Sequence, residues 1–191
     1  MDARGFDTTE TLTDGEVVRI RFLRREDKDG LFSLFSRLSP ETIYRRFLGP
    51  RSNWTIKELG YLTDLDGRGR VALAASLVLD AEEVIVGVAS YMTAPGKQTG
   101  RPELGIIVED AQQHRGIGTL LLQHLLEIAS AQGIEELEAH ILAENDQLVA
   151  PLMLLGTNLT RVTKEGVTFV TFRTDDVLKQ VSGTPPPRLL V

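Results

Sequence analysis

The chain contains no cysteine, which excludes disulfide staples, thiolate metal sites and a cysteine nucleophile. Long apolar runs are also missing: the longest nearly apolar stretch, Val71 to Leu79, is far too short to cross a bilayer. The opening residues Met1-Asp2-Ala3-Arg4-Gly5 lack the basic-then-apolar pattern of a secretory signal. No membrane partner is therefore expected, and the expected location is cytoplasmic. Positive charge is in deficit, with 21 Lys plus Arg against 27 Asp plus Glu and a net charge of -6. That balance argues against nucleic acid as a partner and slightly toward a basic one. His114, His124 and His140 are scattered without the spacing of metal ligands, so no metal is expected. There is no internal repeat.

What is present suits one domain. At 191 residues, with 42% apolar and 25% charged side chains, the chain can bury an ordinary core without metal or disulfide support. The expected organisation is an N-terminal extension over 1–16, a globular domain over 17–175 and a tail over 176–191. In that tail Pro185, Pro186 and Pro187 end any regular element.

Hydrophobic periodicity sets the elements. Val17 to Phe22 alternates as a strand, and Leu31, Leu34, Phe35 and Leu38 recur at helical spacing. Ser39 and Pro40 start a second helix through Phe47, and Thr55 to Leu62 forms a third. Val71 to Leu79 and Glu83 to Tyr91, separated by Asp80-Ala81-Glu82, predict an antiparallel hairpin. A strand from Leu104 to Glu109, with Glu103 at its start, leads through a glycine turn into an amphipathic helix capped at Gly133, and Ile134 to Leu142 returns as a strand. This is a βαβ unit with a parallel pair and a right-handed crossover. Asn145 caps a helix through Leu155, and a hairpin closes around Lys164-Glu165-Gly166.

The turn Gln113-His114-Arg115-Gly116-Ile117-Gly118-Thr119 carries the most chemistry. Glycines bring backbone N–H groups close to a ligand, and a helix N-terminus adds partial positive charge, so the turn suits phosphate. No Gly-x4-Gly-Lys run is present, which excludes a P-loop. A dinucleotide fingerprint fails because its third glycine position holds Leu121 and the turn does not open the first βα unit.

Set behind a hairpin and ahead of a further strand and helix, Gln113-x-x-Gly116-x-Gly118 resembles the pyrophosphate signature of the GNAT acetyltransferase superfamily. The resemblance spans roughly residues 15–175. Leu38-Ser39-Pro40-Glu41-Thr42-Ile43-Tyr44-Arg45-Arg46-Phe47 looks like the Pat-type bacterial protein lysine acetyltransferases and their stand-alone relatives. The resemblance implies an α/β (α+β) single domain, a mixed, mainly antiparallel sheet flanked by helices with a central βαβ coenzyme-binding unit. It implies acetyl-CoA as cosubstrate. Loop residues Gln113, His114, Arg115, Gly116, Ile117, Gly118 and Thr119 would hold the pyrophosphate, backbone groups of Ile106, Ile107 and Val108 the pantetheine arm, and Asn145 would help orient it. The Pat-type strand carries a glutamate proposed to deprotonate lysine, which makes Glu103 the expected catalytic base.

Without cysteine, direct attack by an amine is preferred over a thiol-borne acyl-enzyme. The expected function is acetyl-CoA-dependent N-acetylation of a primary amine, protein lysine being the favoured acceptor. A small-molecule amine acceptor and a non-catalytic acyl-CoA-sensing module are the alternatives. The hint for the latter is Leu152, which stands where the family usually has a Tyr general acid, and Thr157 replaces an aromatic after Gly156. Backbone N–H groups near Ile107 would polarise the thioester carbonyl if that strand bulges. Arg45, Arg46 and Arg51 read as a charged helix face, with contact to coenzyme or substrate as the alternative, Tyr44 and Tyr91 as rim or core, and His124 as helix surface. Oligomeric state stays open.

Overall fold

The structure, a computed structural model, describes residues 2–51, 54–79, 81–93, 101–145 and 160–181. Strands β1 (Asp7–Thr11) and β2 (Val17–Phe22) precede helices α1 (Lys28–Arg37), α2 (Pro40–Phe47) and α3 (Ile56–Thr63). Then come β3 (Arg70–Leu79), β4 (Glu82–Met92), β5 (Glu103–Val108), α4 (Ile117–Ala131) and β6 (Glu136–Leu142). The chain continues with β7 (Thr160–Lys164), β8 (Val167–Arg173) and α5 (Thr174–Val181). All eight strands join one sheet in the order β1-β2-β3-β4-β5-β6-β8-β7. Each neighbouring pair is antiparallel except β5 with β6.

The alternation of each strand divides the core in two. Leu104 and Val108 of β5, Leu137, Ala139 and Ile141 of β6 and the apolar stripe of α4 share one cluster. Ile107 of β5 instead joins Leu31, Leu34, Phe35, Ile43 and Leu59 from α1, α2 and α3. The sheet is therefore covered by α4 on one face and by the three early helices on the other.

Local chemistry explains the helix ends. Ser39 accepts the Thr42 N–H at 3.1 Å with Pro40 at the first helical position, and Thr55 and Glu58 form a reciprocal capping box at α3. Gly133, at φ +77°, ends α4 in the left-handed conformation that glycine adopts without strain.

Two elements were not foreseen from periodicity. β1 lies within the segment read as an extension and pairs with β2 from Asp7↔Arg21 to Thr11↔Val17. Its sequence Asp-Thr-Thr-Glu-Thr has no apolar alternation because neither face is buried, as an edge strand permits. α5 packs on α4 with Val177 buried, and the buried Thr174 leads into it. His124, read as helix surface, is in fact buried on α4 and bridges Glu127 at 3.0 Å and Glu10 of β1 at 2.9 Å.

Candidate functional site

β5 and β6 share only two rungs, Glu103↔Glu138 and Leu104↔Ala139. The Glu138 N–H donates to the Pro102 carbonyl at 3.0 Å, so strand alternation turns the backbone groups of residues 104, 106 and 108 toward β6. Past Leu104 the strands part. The N–H and C=O of Ile106 and the N–H of Val108 thus face a gap between the two strands. The Val108 carbonyl is taken by Gln113 Nε2 at 3.1 Å, which ties the glycine loop to the end of β5.

Ile107 is different. Its backbone faces β4 in a register that runs unbroken from Gly87↔Val108 to Met92↔Glu103. The bulge on which a carbonyl-polarising N–H at Ile107 depended is not in β5. The irregularity lies one strand away, where Val86 of β4 is the extra residue between Ile85 and Gly87 opposite β3.

At the far end of the gap the loop bends through two left-handed residues, His114 at φ +61° and Gly116 at φ +94°. The Leu120 N–H donates to the Gly116 carbonyl at 3.0 Å and opens the α4 ladder. The preceding amides of Ile117 and Gly118 have no carbonyl within the helix to bond. A Cβ on Gly116 would meet nothing within 4 Å, so the loop's outer side is open. His114 is exposed, whereas Ile117, Gly118 and Thr119 are buried in α4's first turn.

Arg115 does not present a free charge to that open side. Its guanidinium pairs with Asp14 at 2.6 Å and with Glu16, and it donates to Gln112. The hydrogen bond to Glu16 raises its pKa, against the desolvation that opposes it, and Asp14 adds to the rise. Arg115 fastens the β1–β2 turn to the loop.

The other face of β5 opens on a second space. Glu103 of β5 and Glu138 and His140 of β6 face α2 and α3 across a cavity of about 880 Å³, lined also by Arg46, Trp54 and Tyr61. Glu103 is half-exposed and lies 3.6 Å from His140 Nδ1. His140 Nε2 sits 2.7 Å from Glu138 Oε1, and its ring packs edge-on against Phe169 at 4.8 Å. Glu103 therefore heads a chain of carboxylate, imidazole and carboxylate.

Arg46 lies directly on the β5 backbone: a Cβ at Gly105 would come within 1.9 Å of its Nη2. Periodicity placed Arg45 and Arg46 side by side on a charged face, yet Arg45 reaches back to Glu41 at 2.6 Å while Arg46 turns inward. Spacing alone cannot say which of two adjacent arginines does so. Tyr91 is core on the α4 side, donating to Gln132 at 2.9 Å, with its phenol pushed up by burial.

α2 is held over this cavity from the loop side. Asp110 accepts the Ser39 N–H at 2.8 Å and the Ser39 and Thr42 hydroxyls at 2.7 Å. Burial opposes the charged form of Asp110, but these hydrogen bonds outweigh it and keep its pKa below the usual value. A depressed folded pKa contributes stability fully present above the unfolded value of about 3.9 and lost as pH falls through the folded one. Asp110→Asn should therefore be less stable than wild type at neutral pH, with the difference shrinking in acid. Urea unfolding from pH 7 to pH 2.5 checks this, and a pH-independent difference would count against it.

Asn145 is buried, and its N–H donates to the Leu142 carbonyl at 2.9 Å. The helix expected after it, with Leu152, Gly156 and Thr157, lies outside the described residues, as do the loop around Pro95 and the proline-rich tail. Among the described residues no helix is long and apolar enough to cross a membrane.

A model of the acetyltransferase (GNAT) family matches residues 37–151. An acetyltransferase of Pseudomonas aeruginosa is 33% identical over 128 residues, covering 67% of this chain and 68% of that protein. The GNAT domain of PAT from S. lividans superposes with a TM-score of 0.76 at 26% identity, over 87% of this chain and 96% of that one. PaiA N-acetyltransferase from Thermoplasma acidophilum, in complex with coenzyme A, shares the fold with a TM-score of 0.62 at 16% identity, over 82% and 98%.

Proposed function

Because this chain belongs to the acetyltransferase (GNAT) family and is thereby an acyltransferase, we propose that it passes the acetyl group of acetyl-CoA directly to a primary amine, with protein lysine as acceptor. The observation that carries this reading is the gap between β5 and β6, which ends at the N-terminus of α4. Its free edge offers the N–H and C=O of Ile106 and the N–H of Val108, groups that an amide-bearing pantetheine arm can match as an added strand. Ile107 contributes by holding that edge in register with β4. The loop from Gln113 to Thr119 then receives the pyrophosphate on the amides of α4's first turn. Coenzyme A binding in the Thermoplasma protein of the same fold is consistent with this assignment.

Acetyl-CoA supplies an activated acyl carbon. The chain's part is to deliver an uncharged amine to it and to carry away a proton. A lysine amine, with an ordinary pKa of about 10.4, arrives protonated at neutral pH. Glu103 faces the acceptor cavity from the strand that borders the gap, so it takes that proton. His140, oriented by Glu138, is the next group in line. Asn145 sits at the end of β6 on the far side of the gap and helps to position the arm.

Arg115 is assigned to the loop's architecture. Arg115→Gln is expected to lower the melting temperature by releasing the β1–β2 turn, while acetyl-CoA affinity changes by less than about threefold, since its charge is already engaged by Asp14 and Glu16. A fall in affinity of more than tenfold would place its guanidinium on the phosphates instead.

The test of the whole reading is calorimetric titration with acetyl-CoA joined to a thiol-release assay over lysine-bearing proteins and small amines. Binding with thiol release on lysine proteins is the expected result. Release with small amines alone moves the acceptor to that class, and binding without release from any amine overturns the transfer reading.

A further inference from the structure

The acceptor cavity contains a guanidinium that no described carboxylate pairs. Arg46 makes no hydrogen bond or ion pair with another described residue, although its neighbours Arg45 and Arg51 each have a carboxylate within 3 Å. One face of its guanidinium plane is taken by the Phe47 ring, 5.1 Å away, and the group rests against the Gly105 backbone. Burial opposes its charge, the Glu103 carboxylate supports it from beyond ion-pair distance, and Arg51 opposes it. Arg46 is half-buried, and holding an unpaired cation partly out of water carries a cost that is offset when an anion reaches its donors.

We infer that Arg46 anchors a carboxylate of the acceptor, so that the enzyme selects amines presented together with a carboxylate. The inference rests on the amine-acetylation reading above and names the acceptor's chemical class. Glu103 and Gly105 lie two residues apart on one face of β5, about 6.6 Å along a strand. An amine held at Glu103 and a carboxylate held over Gly105 are then close enough in space for one acceptor to reach both. A planar fork of N–H donors suits a carboxylate, and the glycine leaves room for the fork to lie on the strand. The cation and the base remain apart, so neither neutralises the other, and each is left for one end of an amino-carboxylate. That carboxylate comes either from a small amino acid or from an Asp or Glu beside a target lysine; the chemistry at Arg46 is the same.

Matched acceptors separate these sources. One pair is L-lysine and L-lysinamide; the other is a lysine peptide flanked by glutamates and the same peptide flanked by glutamines. In wild type the carboxylate member of at least one pair should show a kcat/KM about tenfold higher, carried by KM, as a charge-assisted hydrogen bond gives. In Arg46→Gln that ratio should fall to near one, and Arg46→Lys should retain part of it. Preference within the lysine pair alone assigns a small acceptor, and within the peptide pair alone an acidic-flanked lysine. A ratio near one for both pairs in wild type overturns the inference while leaving acetyl transfer standing.

A second readout is independent of turnover. Trp54, the single tryptophan of the chain, lines the same cavity, so its fluorescence should change saturably with N-acetylglycine, not with N-acetylglycinamide, and the response should vanish in Arg46→Gln. The absence of any saturable response to the carboxylate overturns the inference even where no acceptor is turned over.

Discussion

Glu103→Gln should lower kcat for amine acetylation by roughly 10²- to 10³-fold, the range a general base supplies, with acetyl-CoA affinity unchanged. The substitution keeps the side chain's size and its hydrogen-bonding reach toward His140 Nδ1, 3.6 Å away, but removes its capacity to take a proton from an ammonium. On the proposed reading the coenzyme contacts lie on the backbone edge of β5 rather than on the cavity face, which is why binding and turnover should separate. The pH dependence gives a sharper signature. In the variant, the rate should climb steadily with pH as the fraction of free amine grows, up to the acceptor's own pKa. Steady-state thiol release between pH 6 and pH 10, with calorimetric titration of acetyl-CoA, measures both. A kcat within threefold of wild type at pH 7 would remove Glu103 as the base.

Gly116→Leu should weaken acetyl-CoA binding by at least about 100-fold. Two effects combine. At φ +94° any L-residue is strained, by about 1–2 kcal/mol, and its side chain projects into the open space where nothing of the protein lies within 4 Å. On the proposed reading, that space is where the pyrophosphate approaches the amides of Ile117 and Gly118. Gly133→Leu is the matched control, because Gly133 also has a positive φ of +77° and open surroundings but lies at the opposite end of α4. It should cost comparable thermal stability and leave acetyl-CoA affinity within about twofold. Equal loss of affinity in both variants would mean that strain in α4, not access to the loop, accounts for the effect.

Elements with buried faces were readable because burial leaves a pattern in the sequence: β8 alternates, α4 repeats at helical spacing, and β3 and β4, covered on both faces, read as near-continuous apolar runs. β1 carries none and could not be distinguished from a polar loop. Within the site, Gly116 drew notice through the Gln-x-x-Gly-x-Gly turn between a strand and a helix, and Glu103 through the resemblance of its strand to that of the Pat-type enzymes. Its neighbours were hidden. His140 reaches Glu103 only through the parallel register of β5 and β6, which no local pattern specifies. Arg115 appeared to be a phosphate contact because its partners, Asp14 and Glu16, lie about a hundred residues earlier. Arg46 differs from Arg45 by one step of helical rotation, and the packing of α2 against β5 decides which of the two meets the cavity.

The parting of β5 from β6 after two rungs should also write a pattern into amide hydrogen exchange. Gly105 and Ile107 are locked by β4, so their protons should be exchanged only when the sheet itself opens. Ile106 and Val108, one residue away on the same strand, point into the gap and should exchange far faster. Four consecutive amides would thus alternate between slow and fast in the free enzyme, and bound coenzyme would make them uniformly slow, reading out occupancy one residue at a time.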